Sequence, residues 1–376
     1  MSDEQDALQR VIDDVVAPGA AEVDATAKFP REAVSALGRA GILGLTASAD
    51  IGGAGLGLRA AAGVIQRLAG ACSSTAMVTL MHYAAAVAVH HHGPGDVRRR
   101  IAAGEYVVTL AFSEVGSRSH FWAPLGTATS AGDGAGADVR LDGRKSWVTA
   151  AGEADGYVWS SRPLSADGPM TLWLVPASSK GLVQPSTFDG LGLRGNASTP
   201  VTADGVVVPA AAMLGADGAG LDLALTDVLP WFLVLSAAFC VGLMEAATAE
   251  TTAHLGAARL EHLGQTLAEQ PLARVDHARM RIATDQAAAL LADTLAALED
   301  GREEAALRVL EVKAAAGEAA IDVTDLAMKV CGGAAFRKEL GIERRFRDAR
   351  AARVMAPTTD ALLDFVGRAI NGLPLL

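Results

Sequence analysis

The order of secondary-structure patterns along the chain constrains its fold more than any single motif does. Residues 1–108 carry apolar side chains at helical spacing, with Gly or Pro near the segment ends. Residues 109–218 contain short β-branched runs separated by Gly, Asp and Ser, and residues 219–376 return to long helical patterns. We therefore predict an α+β protein with an N-terminal helical domain, a central small β-barrel or sandwich, and a C-terminal four-helix bundle.

Size and charge narrow the classes of protein to which the chain can belong. Its 376 residues are enough for two or three packed units. A net charge of -11 without a long basic run argues against a nucleic-acid partner. The most apolar stretch begins at Leu229 and is bounded by Asp227 and Glu245, which predicts a buried helix and no membrane span. The polar, acidic N-terminus leads us to expect a cytoplasmic location.

Cysteine and histidine positions give no metal or disulfide signal. Cys72, Cys240 and Cys331 lie far apart among small apolar residues, which predicts buried and reduced thiols. The run His90 to His92 precedes Gly93-Pro94, and positive charge at such a helix end interacts favourably with the helix dipole. We therefore expect no metal site.

Five short motifs occur in order along this framework. They are ASADIGGAGL at residues 47–56, LAFSEVGSRS at residues 110–119, GRKSWVT at residues 143–149, Gly332-Gly333 after an apolar helix, and Arg347-Asp348-Ala349. Together they resemble the motifs of the acyl-CoA dehydrogenase superfamily over essentially the whole chain. The resemblance implies a flavoenzyme that uses FAD and acts on a CoA thioester or a similar small substrate.

The resemblance also implies which residues contact the flavin. An isoalloxazine ring needs a flat aromatic or apolar wall and hydrogen-bond donors near N5 and the pyrimidine carbonyls. By resemblance, Trp147 is the wall, Thr149 is the donor beside N5, and Phe112 and Ser113 bond the pyrimidine end. Ser119 matches the serine that bonds the phosphate region, with a turn cap as its alternative role.

In this family a neighbouring subunit completes the FAD site. The residues of this chain that match that contribution are Arg259, Gln270, Gly332, Gly333, Thr358 and Asp360. The two glycines would let a partner backbone approach the cofactor, since they carry no Cβ. We expect the anionic Asp360 to face the ribose or solvent. The resemblance therefore implies a homodimer or a homotetramer.

The catalytic base of the family is missing from both positions where it is known. Ala356 and Pro357 stand where the family has Glu-Gly, and the alternative position on the first bundle helix falls on Phe232. A positioned base contributes about a hundredfold to ten-thousandfold to rate. His82 is the best substitute by residue type, because histidine titrates near neutrality, although a satisfied core histidine is the favoured interpretation of this position. His120 could reach substrate or only solvent.

These departures leave three functions open. Flavin monooxygenases with this fold lack the glutamate, so we favour flavin-dependent oxygenation, which would need a flavin reductase. The alternative is acyl-CoA dehydrogenation with a relocated base such as His82, which would need an electron-transfer flavoprotein. The third is a flavin-binding paralogue without catalysis. Thr149 and His82 are our candidate catalytic residues.

Overall fold

Helices occupy the N-terminal third of the chain. The computed structural model describes residues 3–116, 120–132 and 136–375. The first six helices are α1 (Asp3–Val11), α2 (Ala17–Thr26), α3 (Arg31–Arg39), α4 (Leu58–Ala71), α5 (Ser73–His92) and α6 (Gly95–Ala102). A π-helical turn over Ile12–Val16 joins α1 to α2. Most of α5 is buried, so it is a core helix rather than a surface helix with one polar face.

Strands follow, and they form two four-stranded sheets. The strands are β1 (Val108–Ala111), β2 (Thr127–Ser130), β3 (Val139–Val148), β4 (Gly156–Ser161), β5 (Thr171–Pro176), β6 (Leu182–Val183), β7 (Thr199–Val208) and β8 (Met213–Leu214). The sheet orders are β1-β4-β5-β8 and β2-β3-β7-β6. Only the β1–β4 pair is parallel among these strands. Trp159 and Trp173 of the first sheet share one buried core with Val139 and Leu141 of the second, which is a sandwich arrangement.

The C-terminal part is helical again. It contains α7 (Gly220–Leu223), α8 (Leu229–Ala257), α9 (Pro271–Asp300), α10 (Ala305–Cys331), α11 (Ile342–Ala349), α12 (Ala351–Val354) and α13 (Thr359–Ile370). A short hairpin of β9 (Arg259–Leu260) and β10 (Gln265–Thr266) separates α8 from α9. α10 packs against α9 and α13. The predicted order of helical, β and helical regions is confirmed.

The chain divides into two compact units. One contains residues up to Val64, residues 77–189 and residues 194–232, and the other contains residues 65–76, 190–193 and those from Leu233 onward. The predicted domain boundaries near 108 and 218 remain predictions. The helical stretch Gly220–Ala257 is long and apolar enough to cross a membrane, but 78% of its most apolar 18-residue window, which has a mean hydropathy of 1.9, is buried within the protein. That burial matches the predicted core helix.

A glycine permits the close packing of α4 and α8. A Cβ on Gly242 would lie 1.9 Å from the backbone oxygen of Gln66, so no larger residue fits there. Next to this contact, the Gln66 amide donates to the Glu245 carboxylate at 2.9 Å. The helix tolerates the lower helical propensity of glycine because the backbones must touch at this point.

The three cysteines are free and buried, and their burial agrees with the prediction of small core side chains, whereas their reduced state remains a prediction. Burial raises the pKa of the Cys240 thiol to about 12, and it also raises the pKa values of Cys72 and Cys331. A thiol with a raised pKa is rarely in the thiolate form that reacts with oxidants or metals. Their environment is therefore that of small core side chains.

Candidate flavin site

A β-bulge in β3 presents Trp147 to solvent. Lys145 pairs with Val201 of β7 and Val148 pairs with Thr199, so β3 has one extra residue between these pairs. Trp147 lies between these two pairs, has a φ of +55° and is 71% exposed. A left-handed backbone is uncommon for a bulky residue. The bulge therefore turns a large aromatic ring away from the core, where it is free to contact a ligand.

The segment after β1 lies directly beside this bulge. The carbonyl of Ser113 accepts a hydrogen bond from the Ser146 N–H at 2.9 Å, which places Phe112 and Ser113 next to Trp147. Thr149 is buried, and within the described part of the chain its hydroxyl has no hydrogen-bond partner. The structure thus brings together four predicted flavin contacts. We call Phe112, Ser113, Trp147 and Thr149 the flavin platform.

The platform fits a flavin in its chemistry. It combines an exposed indole face with the hydroxyl of Thr149, which has no hydrogen-bond partner among the described residues and could bond an isoalloxazine ring. Aromatic rings extend it on one side: Phe112 stacks on Phe121 with centroids 6.4 Å apart, and Phe121 meets Trp122 edge-on at 5.3 Å. The predicted phosphate contact at Ser119 lies outside the described residues.

A buried ion pair next to the platform was missed by sequence reasoning. Lys145 Nζ donates to Glu114 Oε1 at 2.7 Å and to the Ser160 carbonyl and hydroxyl at 2.7 and 2.8 Å. Glu114 Oε2 accepts the Leu125 N–H at 2.6 Å, and both Glu114 oxygens accept the Gly126 N–H at 3.2 and 3.3 Å. Both side chains are almost fully buried. Every hydrogen of the ammonium and both carboxylate oxygens therefore have partners.

Burial outweighs the ion pair in setting the pKa of Lys145. Desolvation lowers the pKa of Lys145 to about 8, although the Glu114 carboxylate acts in the opposite direction. The ammonium also lies 5.0 Å from the centre of the Trp159 ring, which favours its charged form. The sequence does contain a signal for this inward position. Lys145 lies an even number of residues from Val139 and Leu141, which face the core, and such residues of a strand point to the same face.

His82 is a core histidine, which corrects its prediction as a replacement base. Its side chain is fully buried, Nδ1 accepts the Val108 N–H at 3.2 Å, and Nε2 lies 3.1 Å from the Leu43 carbonyl. Both ring nitrogens are therefore used, and the Nε2–H tautomer satisfies both contacts. Burial lowers the pKa of His82 to about 4. The imidazole therefore links β1 to the segment at Leu43 and has no face open to a substrate.

This burial predicts an acid-dependent loss of stability. A folded pKa of about 4 lies below the ordinary 6.5, so the unfolded chain binds a proton between these values while the folded chain does not. Stability should then fall as pH decreases from 6.5 to 4, by about 3 kcal/mol in total. Denaturant unfolding between pH 7 and pH 4.5 measures this, and His82→Gln should flatten the profile. An equal slope in the variant would contradict it.

His91 and His92 converge on a carboxylate that sequence reasoning could not have paired with them. His91 Nδ1 and His92 Nε2 lie 3.0 and 3.2 Å from the same Asp227 oxygen. Three such ligand atoms could hold a metal ion. Two imidazole hydrogen bonds to one carboxylate account equally for the arrangement, so we assign no metal to it.

Two residues predicted to reach a partner's cofactor lie in or after the hairpin: Arg259 is exposed and Gln270 is half-buried. Arg259 of β9 is exposed, and its guanidinium lies 3.5 Å from the Gly264 carbonyl. Gln270 precedes α9, and its amide donates to the Gln265 side chain at 2.9 Å. Within the chain these contacts stabilise the hairpin. The contact with a second subunit remains a prediction.

The glycine pair and Asp360 of α13 are also at the surface, whereas Thr358 is half-buried. Gly332 and Gly333 are exposed, and Gly332 has a φ of +57°, which favours glycine. Thr358 is the N-cap of α13, since its hydroxyl accepts the Ala361 N–H at 3.4 Å. Asp360 is exposed in the first turn, where a negative charge interacts favourably with the helix dipole.

A buried lysine holds the backbone around Ala356. Lys313 Nζ donates to the carbonyls of Met355 at 3.1 Å and Pro357 at 2.7 Å, and the Ala352 carbonyl lies 3.4 Å away. Burial lowers the pKa of Lys313 to about 8. The ammonium thus fixes the segment on both sides of position 356. At the other base position, Phe232 is a buried aromatic residue of α8.

The Arg347-Asp348 motif forms hydrogen bonds with residues 190–193, which belong to the same compact unit. Asp348 Oδ1 accepts the Leu193 N–H at 2.7 Å, and Arg347 donates to the Leu191 carbonyl at 3.1 Å. A Cβ on Gly192 would lie 2.5 Å from the Arg347 carbonyl. The motif therefore fastens residues 190–193 against α11.

Comparisons with known proteins cover nearly the whole chain. Family models match the acyl-CoA dehydrogenase N-terminal domain at residues 2–104, middle domain at residues 109–206 and C-terminal domain at residues 218–371. The bovine (Bos taurus) mitochondrial short-chain specific acyl-CoA dehydrogenase is 27% identical over 359 residues, covering 91% of this chain and 83% of the relative.

Solved structures have the same fold. Butyryl-CoA dehydrogenase from Megasphaera elsdenii superposes with a TM-score of 0.91 at 20% identity, covering 99% of this chain and 98% of that one. An FAD complex of PigA superposes with a TM-score of 0.89 at 18% identity, again over 99% and 98%.

Proposed function

Because the chain belongs to the acyl-CoA dehydrogenase family, we propose that it is an FAD-dependent oxidoreductase of a CoA thioester or a similar small substrate, with a reaction other than simple α,β-desaturation. One observation carries the proposal: both positions where the family carries its base are apolar, Ala356 and Phe232. Nothing at either position can accept the α-proton. Flavin-dependent oxygenation is the reaction we favour.

The residues of the platform have separate tasks in this proposal. Trp147 supports one face of the ring system, and the Thr149 hydroxyl donates a hydrogen bond near its reactive edge. The bound flavin supplies the redox chemistry, either as hydride acceptor or, once reduced, as the group that reacts with oxygen.

The reaction determines which electron-transfer partner the protein needs. An oxygenase needs electrons from a flavin reductase, whereas a dehydrogenase delivers them to an electron-transfer flavoprotein. We also propose a homodimer or homotetramer, because Arg259, Gln270, Gly332 and Gly333 are accessible for contact with the cofactor of a second copy.

Dehydrogenation with a relocated base is the second candidate, since the bovine relative is a dehydrogenase by name. With His82 in the core, the remaining histidine named from the motifs is His120. It is exposed, and its ring lies 4.9 Å from that of Trp122 beside the aromatic extension of the platform. His120→Ala would abolish flavin reduction by substrate if this residue is the base.

The test separates the two reactions with one protein preparation. Wild-type protein loaded with FAD is mixed without oxygen with saturated acyl-CoAs of several chain lengths, and flavin absorbance is followed. We expect little bleaching. Reduced protein is then exposed to oxygen with the same panel, and products that gain one oxygen atom are sought by mass spectrometry. Rapid anaerobic bleaching would contradict the oxygenase proposal, and a protein that takes up no FAD would favour the non-catalytic paralogue.

A further inference from the structure

We propose that the buried Glu114–Lys145 pair is the positioning element of the flavin platform, because it holds β3 in the register that turns Trp147 outward beside Phe112 and Ser113. The inference rests on FAD as the cofactor of the proposed function and does not depend on which reaction follows. Neither residue is placed to touch the flavin itself.

The pair joins the two segments that build the platform. Glu114 directly follows Phe112-Ser113, and Lys145 directly precedes Ser146-Trp147. The two residues also form an isolated antiparallel bridge, next to the hydrogen bond from the Ser146 N–H to the Ser113 carbonyl. The ion pair therefore sets the distance between Phe112-Ser113, which would bond the pyrimidine end of the flavin, and Trp147, which would stack on the ring.

The alternation of buried and exposed residues along β3 indicates that the ion pair prevents Trp147 from pointing into the core. Val139, Leu141 and Lys145 are buried at odd-numbered positions, so an uninterrupted β3 would send Trp147 into the core as well. The extra residue after Lys145 reverses the parity, so that Val148 is buried and Trp147 is exposed. A slip of one residue exchanges the two faces of a strand. Lys145 is the last residue before the reversal, and its three hydrogen bonds hold that position.

The chemistry of the ion pair indicates that it specifies the register of β3 and does not increase the stability of the fold. Removing two charges from water is unfavourable, and apolar side chains of similar volume often replace a buried pair without loss of stability. Specifying register is the best-attested role of buried polar groups. Glu114 serves this role through two adjacent backbone donors, Leu125 and Gly126, as well as through Lys145.

The decisive experiment separates folding from cofactor binding. In the double variant Glu114→Leu/Lys145→Met, apolar side chains replace the pair. We expect a folded protein with a thermal midpoint close to that of the wild type, but with an FAD dissociation constant raised at least about tenfold. The visible circular dichroism of bound FAD should change as well, because the indole no longer has its place beside the ring.

Two further variants make the result specific. Ser161→Ala removes the buried hydrogen bond from Trp173 Nε1, 2.8 Å long, in the same sandwich, and should leave FAD affinity unchanged. The single variant Lys145→Arg keeps the charge and should therefore retain part of the FAD affinity that the double variant loses. If Ser161→Ala weakens FAD binding as much as the double variant does, the effect is general destabilisation and the proposal fails.

Unchanged FAD affinity in a folded double variant would overturn the proposal. If the double variant does not fold, Glu114→Gln decides, because its amide oxygen still accepts the Leu125 or Gly126 N–H while the charge is lost. Weakened FAD binding by folded Glu114→Gln supports the proposal, and wild-type affinity overturns it. A wild type that binds no FAD would contradict the proposed function instead, before any variant is compared.

Discussion

Ala356→Glu should make the flavin reducible by saturated acyl-CoAs. The substitution returns a carboxylate to the position where family members carry their base, and a positioned general base contributes about a hundredfold to ten-thousandfold to rate. We expect anaerobic flavin bleaching to accelerate by at least about a hundredfold over the wild type. Stopped-flow absorbance with a panel of saturated acyl-CoAs measures this directly.

The surroundings of residue 356 favour an ionised glutamate. Lys313 Nζ is bonded to the carbonyls of Met355 and Pro357, so a buried positive charge contacts the backbone on both sides of the substituted residue. A nearby opposite charge stabilises the carboxylate form. Pro357→Gly, added to Ala356→Glu, would supply the backbone freedom that the family's Glu-Gly has.

Ala356→Gln is the matched control for this experiment. It has the same size and shape as the glutamate variant but cannot take a proton, so it should bleach no faster than the wild type. Equal acceleration by both variants would assign the effect to shape and not to base catalysis. Fast bleaching by the wild type itself would mean that a base exists outside the known positions, and His120 would be the first residue to test.

The platform was predictable because it depends on local motifs. Trp147, Thr149, Phe112 and Ser113 were assigned from two short segments, and the structure brings these segments together through the Ser146–Ser113 hydrogen bond. The bulge that exposes Trp147 was not predicted, since a single sequence does not show which strand pairs with β3. Strict alternation along β3 would have placed the indole in the core.

Other site features depend on contacts between distant parts of the chain. Lys145 and Glu114 are charged residues of a type that is usually solvated, and only the parity of Lys145 with Val139 hinted at burial. His82 was misassigned because α5 is buried on nearly all sides, so residue type could not distinguish a site from the core. The contact of His91 with Asp227 spans 136 positions and has no local signal.

Trp147→Ala should weaken FAD binding without destabilising the fold. The indole is 71% exposed, and substitutions at exposed positions usually change stability by less than about 0.5 kcal/mol. Loss of an aromatic stacking surface costs about 1–3 kcal/mol per stacked ring, which corresponds to an affinity roughly 5- to 150-fold weaker. Titration of apoprotein with FAD, alongside thermal unfolding of the same apoprotein, gives both quantities.

Two controls distinguish stacking from a general loss of apolar surface. Trp147→Phe keeps an aromatic face and should retain most of the affinity, whereas Val183→Ala shortens another exposed apolar residue of the same sheet and should change nothing. Because Trp147 has a left-handed backbone, Trp147→Gly should relieve strain of about 1 kcal/mol and still lose the flavin. A more stable protein that binds FAD less tightly would show that the strain at this bulge is retained for cofactor binding. Unchanged affinity in both Trp147→Ala and Trp147→Gly would remove Trp147 from the platform.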